Sequence, residues 1–129
     1  MDLRILVVED SETTRRMIRA VLQSREWTIC GEAENGLEGV SEFQKLRPDV
    51  VVLDLTMPGI NGIEAAHRMS HLNPDVPLIL FTLCDVEELR GVARDAGIYA
   101  LVSKEHALDL VGTIESAIEN RSRSSHRIQ

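Results

Sequence analysis

The stretch that decides the fold runs from Val50 to Gly62 and reads VVVLDLTMPGING. Its four opening residues are apolar and three of them are β-branched, which is typical of a strand buried on both sides of a sheet. The run leads directly into a carboxylate, Asp54, and a turn rich in Pro, Gly and Asn follows. Because an isolated Asp in this place would usually be a turn residue, a functional interpretation needs support from elsewhere in the chain.

The composition fits one globular domain. The chain has 129 residues, of which 43% are hydrophobic and 27% are charged. It contains no apolar run near the ~18 residues that a membrane span requires, and the N-terminus lacks the basic region and small-residue cleavage site of a signal peptide. We therefore expect one cytoplasmic domain with no membrane partner.

The net charge and the spacing of the cysteines argue against further classes of protein. The net charge of −7 argues against nucleic-acid binding by this domain. The last nine residues, RSRSSHRIQ, hold three arginines and no acid. We predict a domain over residues 1–120 and a basic polar tail or linker stub over 121–129. Cys30 and Cys84 lack a CxxC spacing, which predicts reduced core cysteines.

Apolar runs alternate with helical patterns along the whole chain. The runs that predict strands are 3–8, 28–33, 50–54, 77–82 and 100–103. Apolar residues recur at helical spacing between and after them, most clearly around 17–22 and 108–118, and less clearly in 36–46 and 62–72. This (βα)5 order predicts an α/β fold, a doubly wound five-stranded parallel sheet with helices on both faces.

Polar residues follow the strands at the edge where parallel sheets bind ligands. These residues are Glu9, Asp10, Asp54, Thr82, Ser103 and Lys104. Two carboxylates about 4 Å apart repel by roughly 4 kcal/mol at an effective dielectric of about 20, so three together need a cation or raised pKa values. Oxygen ligands suit Mg2+, beside which a carboxylate and a lysine can perform phosphoryl transfer.

These motifs together resemble the receiver domains of two-component response regulators. The resemblance covers residues 3 to about 120 and rests on the acidic pair after the first strand, Leu53-Asp54 before the MPGxNG turn, Thr82, and Ala96-Gly97 ahead of Lys104. It implies a flavodoxin-like strand order of 2-1-3-4-5. It also implies that Asp54 accepts a phosphoryl group, with Thr82 and Lys104 contacting that group.

The same resemblance implies a cofactor, partners and a role. Asp10, Asp54 and the carbonyl of Thr56 would bind Mg2+, and Glu9 would assist, through a water or directly. A sensor histidine kinase or phosphotransfer protein would be the donor, and an output domain or effector, unidentified here, would be the target. A phosphorylation-dependent dimer is among the states left open. The chain would be a signalling switch rather than an enzyme, although it would catalyse its own phosphorylation and dephosphorylation.

Some residues depart from the receiver pattern. Leu83 follows Thr82, where receivers usually have a small residue, and is expected to crowd the phosphoryl pocket. Leu101 stands where an aromatic residue is usual, with Tyr99 two positions earlier. Glu105 replaces a common proline, a feature of receivers joined to helix-turn-helix output domains. No output domain follows, so we expect either a stand-alone receiver or a piece of a longer regulator.

Three alternative functions use the same residues differently. A pseudo-receiver would keep the fold as an interaction module without phosphorylation. A phosphatase of the haloacid-dehalogenase kind would need a second acid where Thr56 stands. A flavodoxin-like FMN carrier would place phosphate near SETT (11–14), beside the acids that repel it. His67 and His71 have a metal-binding spacing, but a solvated helix face is the expected interpretation.

Overall fold

The fold is an alternation of five strands and five helices. The computed structural model describes residues 2–128, with side chains described for residues 2–121. The strands are β1 Arg4–Val8, β2 Thr28–Ala33, β3 Val50–Leu53, β4 Leu78–Thr82 and β5 Ala100–Ser103. The helices are α1 Glu12–Leu22, α2 Gly36–Leu46, α3 Gly62–Leu72, α4 Val86–Asp95 and α5 Asp109–Ile128, with a 3-10 turn at Lys104–His106.

All four strand pairings are parallel, and the sheet order is β2-β1-β3-β4-β5. The predicted doubly wound α/β fold is therefore confirmed, together with the strand order that the receiver resemblance implies. The strand bounds differ from the prediction by one residue at some ends. The strand β4 begins at Leu78 rather than at 77 because Pro77 has no N–H to donate to a neighbouring strand.

The sheet separates two apolar cores because side chains alternate along each strand. In β3, Val51 and Leu53 face the core that contains Phe43 of α2 and Met69 of α3. The neighbouring Val50 and Val52 face the other core, whose helical members are Ile18 and Leu22 of α1 with Leu110 and Ile114 of α5. All four β3 residues are at most 1% exposed. Burying one such side chain contributes about 1.5–3 kcal/mol, so the sheet is held from both sides.

Asparagine caps start the two helices whose sequence patterns were weakest. The Asn35 side chain accepts the N–H of Glu38 at 2.8 Å, and Asn61 accepts that of Glu64 at 2.9 Å. Each bond satisfies a donor that the first helical turn leaves without an internal partner. Both helices cover the ranges that the sequence predicted, 36–46 and 62–72.

The last helix is longer than expected. Its backbone is helical through Ile128, whereas the sequence predicted a tail or linker stub from residue 121. No Gly or Pro occurs after Gly112, so nothing in the sequence interrupts the helix. The domain boundary at residue 120 stays a prediction, and Gln129 lies outside the described residues. In the part of the chain that the structure describes, no helix combines the length and apolarity needed to cross a membrane.

Candidate functional site

The end of β3 places Asp54 at the carboxyl edge of the sheet. The Asp54 N–H donates to the Val8 carbonyl at 2.9 Å, which fixes it beside the end of β1. A Cβ atom on Gly62 would lie 2.1 Å from the Asp54 carbonyl oxygen, so only glycine lets the loop fold back this closely. Gly59 adopts a φ of +80°, as its place in the predicted turn requires. Asp54 is 6% exposed, so this residue is nearly buried at the edge of the sheet.

Three carboxylates meet at this edge. Glu9, Asp10 and Asp54 each offer an oxygen, and these oxygens lie within 4.8 Å of one another. Glu9 is 1% exposed and Asp10 is exposed, so the cluster opens to solvent on the Asp10 side. Among the described residues, no other group of three or more His, Cys, Asp or Glu side chains is close enough to share an ion.

Lys104 lies against the carboxylates from the end of β5. Its Nζ atom is 2.8 Å from Glu9 Oε1 and 3.3 Å from Asp54 Oδ1, and its side chain is 12% exposed. The second oxygen of Glu9, Oε2, accepts the Ser11 N–H at 3.0 Å. Oε1 is buried, and the Lys104 ammonium is its partner.

The pKa directions at this edge follow from burial and charge. Burial raises the pKa of Glu9, and the Asp54 charge adds to this, against the lowering effect of Lys104 and the Ser11 N–H. Burial acts to lower the pKa of Lys104, but the contact with Glu9 and the charge of Asp54 outweigh it, so the pKa is raised. Lys104 therefore stays charged at neutral pH, and the cluster carries three acids against one base. Oxygen donors with an excess negative charge fit a hard divalent cation.

Thr82 ends β4, between the strands that carry Asp54 and Lys104. It is 1% exposed, and its Oγ1 accepts the N–H of Cys84 at 3.1 Å. Thr56 is exposed on the loop two residues after Asp54, and a metal-binding role for its carbonyl stays a prediction.

Cys84 is exposed, so the prediction that it is a core cysteine is wrong, because it follows β4 in a surface loop. Cys30 is half-buried, and both cysteines are free thiols.

The two leucines that depart from the receiver pattern lie in different surroundings. Leu83 is 70% exposed, so it stands in solvent rather than packing into the pocket that it was expected to crowd. Leu101 is partly buried against the core beneath α2, α3 and α4. The Tyr99 hydroxyl accepts the Asn120 amide N–H at 2.6 Å and lies 3.1 Å from Ser116 Oγ, which ties this aromatic residue to α5.

His67 and His71 are exposed on α3, as the sequence predicted. Their rings pack edge to face with centroids 4.6 Å apart. Among the described residues they form no ligand group with a third His, Cys, Asp or Glu. The prediction of a solvated helix face is confirmed.

The sequence patterns did not single out Arg15, which is 7% exposed and donates to the Glu9 carbonyl at 2.8 Å. The sequence does contain an indication that Arg15 is buried, because it precedes Ile18 and Leu22 at the spacing that places all three on one helix face. An arginine in the register of an apolar stripe indicates a charge that is buried with partners.

Comparison with known proteins decides the family. A family model described as the response regulator receiver domain matches residues 5–115. The chain belongs to the response regulator receiver family. The sequence of this receiver domain is 36% identical over 118 residues to a protein-glutamate methylesterase/protein-glutamine glutaminase of Alkalilimnicola ehrlichii. The match covers 89% of this chain and 30% of that protein. It is 41% identical over 56 residues to the chemotaxis protein CheY of Listeria monocytogenes, covering 43% of this chain and 47% of that protein.

The receiver domain also resembles solved structures over nearly its full length. The response regulator domain of Thermotoga maritima CheB superimposes with a TM-score of 0.85 at 26% identity, covering 92% of this chain and 98% of that one. The matched parts span less than half of the length of the two curated relatives named above, 47% of the chemotaxis protein and 30% of the methylesterase. The match to the methylesterase therefore identifies the receiver part and not an esterase activity.

Proposed function

We propose that this receiver domain is a phosphorylation-dependent signalling switch that accepts a phosphoryl group on Asp54 from a sensor histidine kinase or a phosphotransfer protein. The observation that carries the proposal is the position of the Asp54 carboxylate. It is nearly buried, 3.3 Å from the Lys104 ammonium, and shares a cluster with two further acids. A nucleophilic carboxylate needs this kind of charge compensation when it attacks a phosphorus centre that already bears negative oxygens.

In the proposed transfer, an Asp54 oxygen forms a bond to phosphorus while the bond from phosphorus to the donor imidazole nitrogen breaks. Lys104 lies close enough to Asp54 to pair with a phosphoryl oxygen once it forms. Thr82 lies at the end of the strand next to the one that leads to Asp54. Before phosphorylation its hydroxyl accepts the Cys84 N–H, and it would have to turn that hydroxyl towards the new phosphoryl group. Hydrolysis of the acyl phosphate would return Asp54 to its free state and end the signal.

Glu9, Asp10, Asp54 and the Thr56 carbonyl would hold Mg2+, which when bound offsets the negative charge of the transferring group. The donor set supports this assignment, because Glu9, Asp10 and Asp54 bring three carboxylate oxygens within 4.8 Å of one another. The compartment that we propose is the cytoplasm. The output partner would bind a surface near Thr82 and Lys104 whose conformation depends on phosphorylation.

The direct test is an intact-mass measurement after incubation with acetyl phosphate and Mg2+. We expect a gain of one phosphoryl group, which chelation of the metal prevents. A folded protein that gains none under any Mg2+ concentration would overturn the proposal and favour an interaction module that keeps the fold without the chemistry.

A further inference from the structure

Arg15 connects α1 to the acid cluster through the backbone rather than through a side chain. Its Nη1 atom donates to the Glu9 carbonyl at 2.8 Å. Its other nitrogens face three glutamates: Nη2 donates to Glu12 and to Glu34 Oε1 at 3.4 Å, and Nε lies 3.3 Å from Glu32 Oε1. A buried guanidinium with this many partners is held in one orientation.

The carbonyl that Arg15 holds belongs to the peptide group between Glu9 and Asp10. On the other side of Glu9, its own N–H donates to the Ala33 carbonyl at 2.9 Å. This peptide group joins the backbone atoms that carry two of the three clustered carboxylates, so a displacement of the backbone here would move both acids. Fixing that peptide is therefore a way to fix both acids.

We propose that Arg15 is a positioning residue for the metal site, which orients Glu9 and Asp10 by holding the Glu9 carbonyl. This inference rests on the proposed function, because it takes the acid cluster to be a Mg2+ site. Groups that orient metal ligands typically change metal affinity about 10- to 100-fold when they are removed. The contacts of Arg15 with described residues do not include the side chains of Glu9, Asp10 or Asp54, so its direct link to the site is the Glu9 carbonyl.

Arg19 provides a matched control on the same helix. It contacts two of the same glutamates, with Nε 2.7 Å from Glu32 Oε2 and Nη2 3.3 Å from Glu12 Oε1. Within the part of the chain whose side chains the structure describes, its hydrogen bonds and ion pairs go to these two glutamates and not to Glu9. A change that acts through the charge of the arginine and glutamate network would therefore appear in both variants, whereas a change that acts through the Glu9 carbonyl would appear only at Arg15.

The experiment compares Mg2+ binding by wild type, Arg15→Gln and Arg19→Gln, using calorimetric titration and the amide NMR signals of Asp10 and Ser11. We expect Arg15→Gln to raise the Kd for Mg2+ about tenfold and Arg19→Gln to leave it unchanged. Phosphoryl uptake from acetyl phosphate by Arg15→Gln should recover as Mg2+ is raised, which a general loss of structure would not allow. Equal Kd values in wild type and Arg15→Gln, or equal shifts in both variants, would overturn the inference.

Arg15→Lys covers the case in which Arg15→Gln does not fold, as judged by circular dichroism. The single ammonium of lysine cannot reproduce the several guanidinium nitrogens that contact the Glu9 carbonyl and the glutamates at the same time, so Mg2+ binding should still weaken. A Lys variant with the wild-type Kd would also overturn the inference. If wild type itself bound no Mg2+ and took up no phosphoryl group, the proposed function would fail, whereas normal wild-type behaviour with unaffected variants would remove only the role of Arg15.

Discussion

Two groups of charged side chains meet at Glu9, and they differ in the balance of positive and negative charge. The side chain of Glu9 belongs to one group, and its carbonyl is bonded to Arg15 of the other. The acid cluster at the sheet edge holds Glu9, Asp10 and Asp54 against the single base Lys104. The other group joins α1 to the end of β2. Three arginines of α1 pair with three glutamates, one from α1 and two from the end of β2: Arg15, Arg16 and Arg19 with Glu12, Glu32 and Glu34. The charges of the second group compensate one another, whereas the acid cluster keeps an excess of negative charge that a bound cation would offset.

The pKa values of two glutamates three residues apart show the same contrast. The hydrogen bond from Arg15 lowers the pKa of Glu12, and the nearby charges of Arg15, Arg19 and Arg16 act in the same direction. Burial raises the pKa of Glu9, and the neighbouring Asp54 contributes to the increase. Ionised Glu12 therefore favours the folded state, while ionised Glu9 opposes it in the absence of a cation.

The largest effect that we expect comes from removing the proposed acceptor. Asp54→Asn should abolish phosphoryl uptake from acetyl phosphate, because an amide oxygen is a poor nucleophile and the other two acids are assigned to the metal. Intact mass spectrometry measures the uptake, and Asp95→Asn, an exposed change at the end of α4, serves as the control. Uptake by Asp54→Asn at the wild-type rate would show that the acceptor lies elsewhere.

A smaller effect is expected from removing one acid of each group. Asp10→Asn should weaken Mg2+ binding by at least about tenfold, because a site with few protein ligands loses one of its charges. Glu34→Gln removes an exposed acid of the balanced group and should leave the Kd for Mg2+ unchanged. Calorimetric titration of both variants tests this difference. If the two substitutions had equal effects, the contrast between the two groups would have no bearing on metal binding.

Glu9→Gln should stabilise the metal-free protein by about 1 kcal/mol at neutral pH, as substitutions at strained functional sites commonly do. The raised pKa means that the folded state binds the Glu9 proton more tightly than the unfolded state does. The ionised carboxylate thus lowers stability above the folded-state pKa, and the advantage of Gln should disappear as the pH falls towards 4.5.

Glu12→Gln should behave in the opposite sense. Its lowered folded-state pKa makes ionised Glu12 favourable at neutral pH, so the substitution should destabilise the protein there, and the loss should shrink as the pH falls below 4.5 and through that lowered pKa. Thermal unfolding of both variants at pH 7 and pH 4 compares them. Destabilisation by Glu9→Gln at pH 7 would mean that the pairing with Lys104 outweighs the burial of the carboxylate.

The smallest expected effect concerns Leu83, which belongs to neither charged group. Leu83 stands in solvent but directly follows Thr82, so Leu83→Ala should speed both acetyl phosphate uptake and dephosphorylation only slightly. The change should be less than tenfold, or under about 1.4 kcal/mol, because a side chain that is 70% exposed can move aside. Kinetics at fixed Mg2+ measure both steps, with Val92→Ala, an exposed apolar change on α4, as the control. Unchanged rates would show that Leu83 does not narrow the pocket.

The sequence predicted the sheet and the site positions well because both depend on local patterns. Apolar runs mark buried strands, and the residues that follow them must lie at one edge of a parallel sheet. The pairing of Lys104 with Glu9, which is closer than its pairing with Asp54, could not be predicted, since it depends on side-chain conformations across two strands. The burial of Arg15 depends likewise on glutamates that come from two separate segments, α1 and the end of β2.

The exposed thiol of Cys84 makes this receiver domain suitable for attaching a spectroscopic reporter without a new cysteine. Its backbone N–H is bonded to the Thr82 hydroxyl at 3.1 Å, so a fluorophore there would sit on the loop that must rearrange if Thr82 turns towards a phosphoryl group. Cys30 would compete poorly for the dye, because burial raises the pKa of its thiol and it is only half accessible. One maleimide addition to the unmodified sequence would then yield a real-time sensor of the loop.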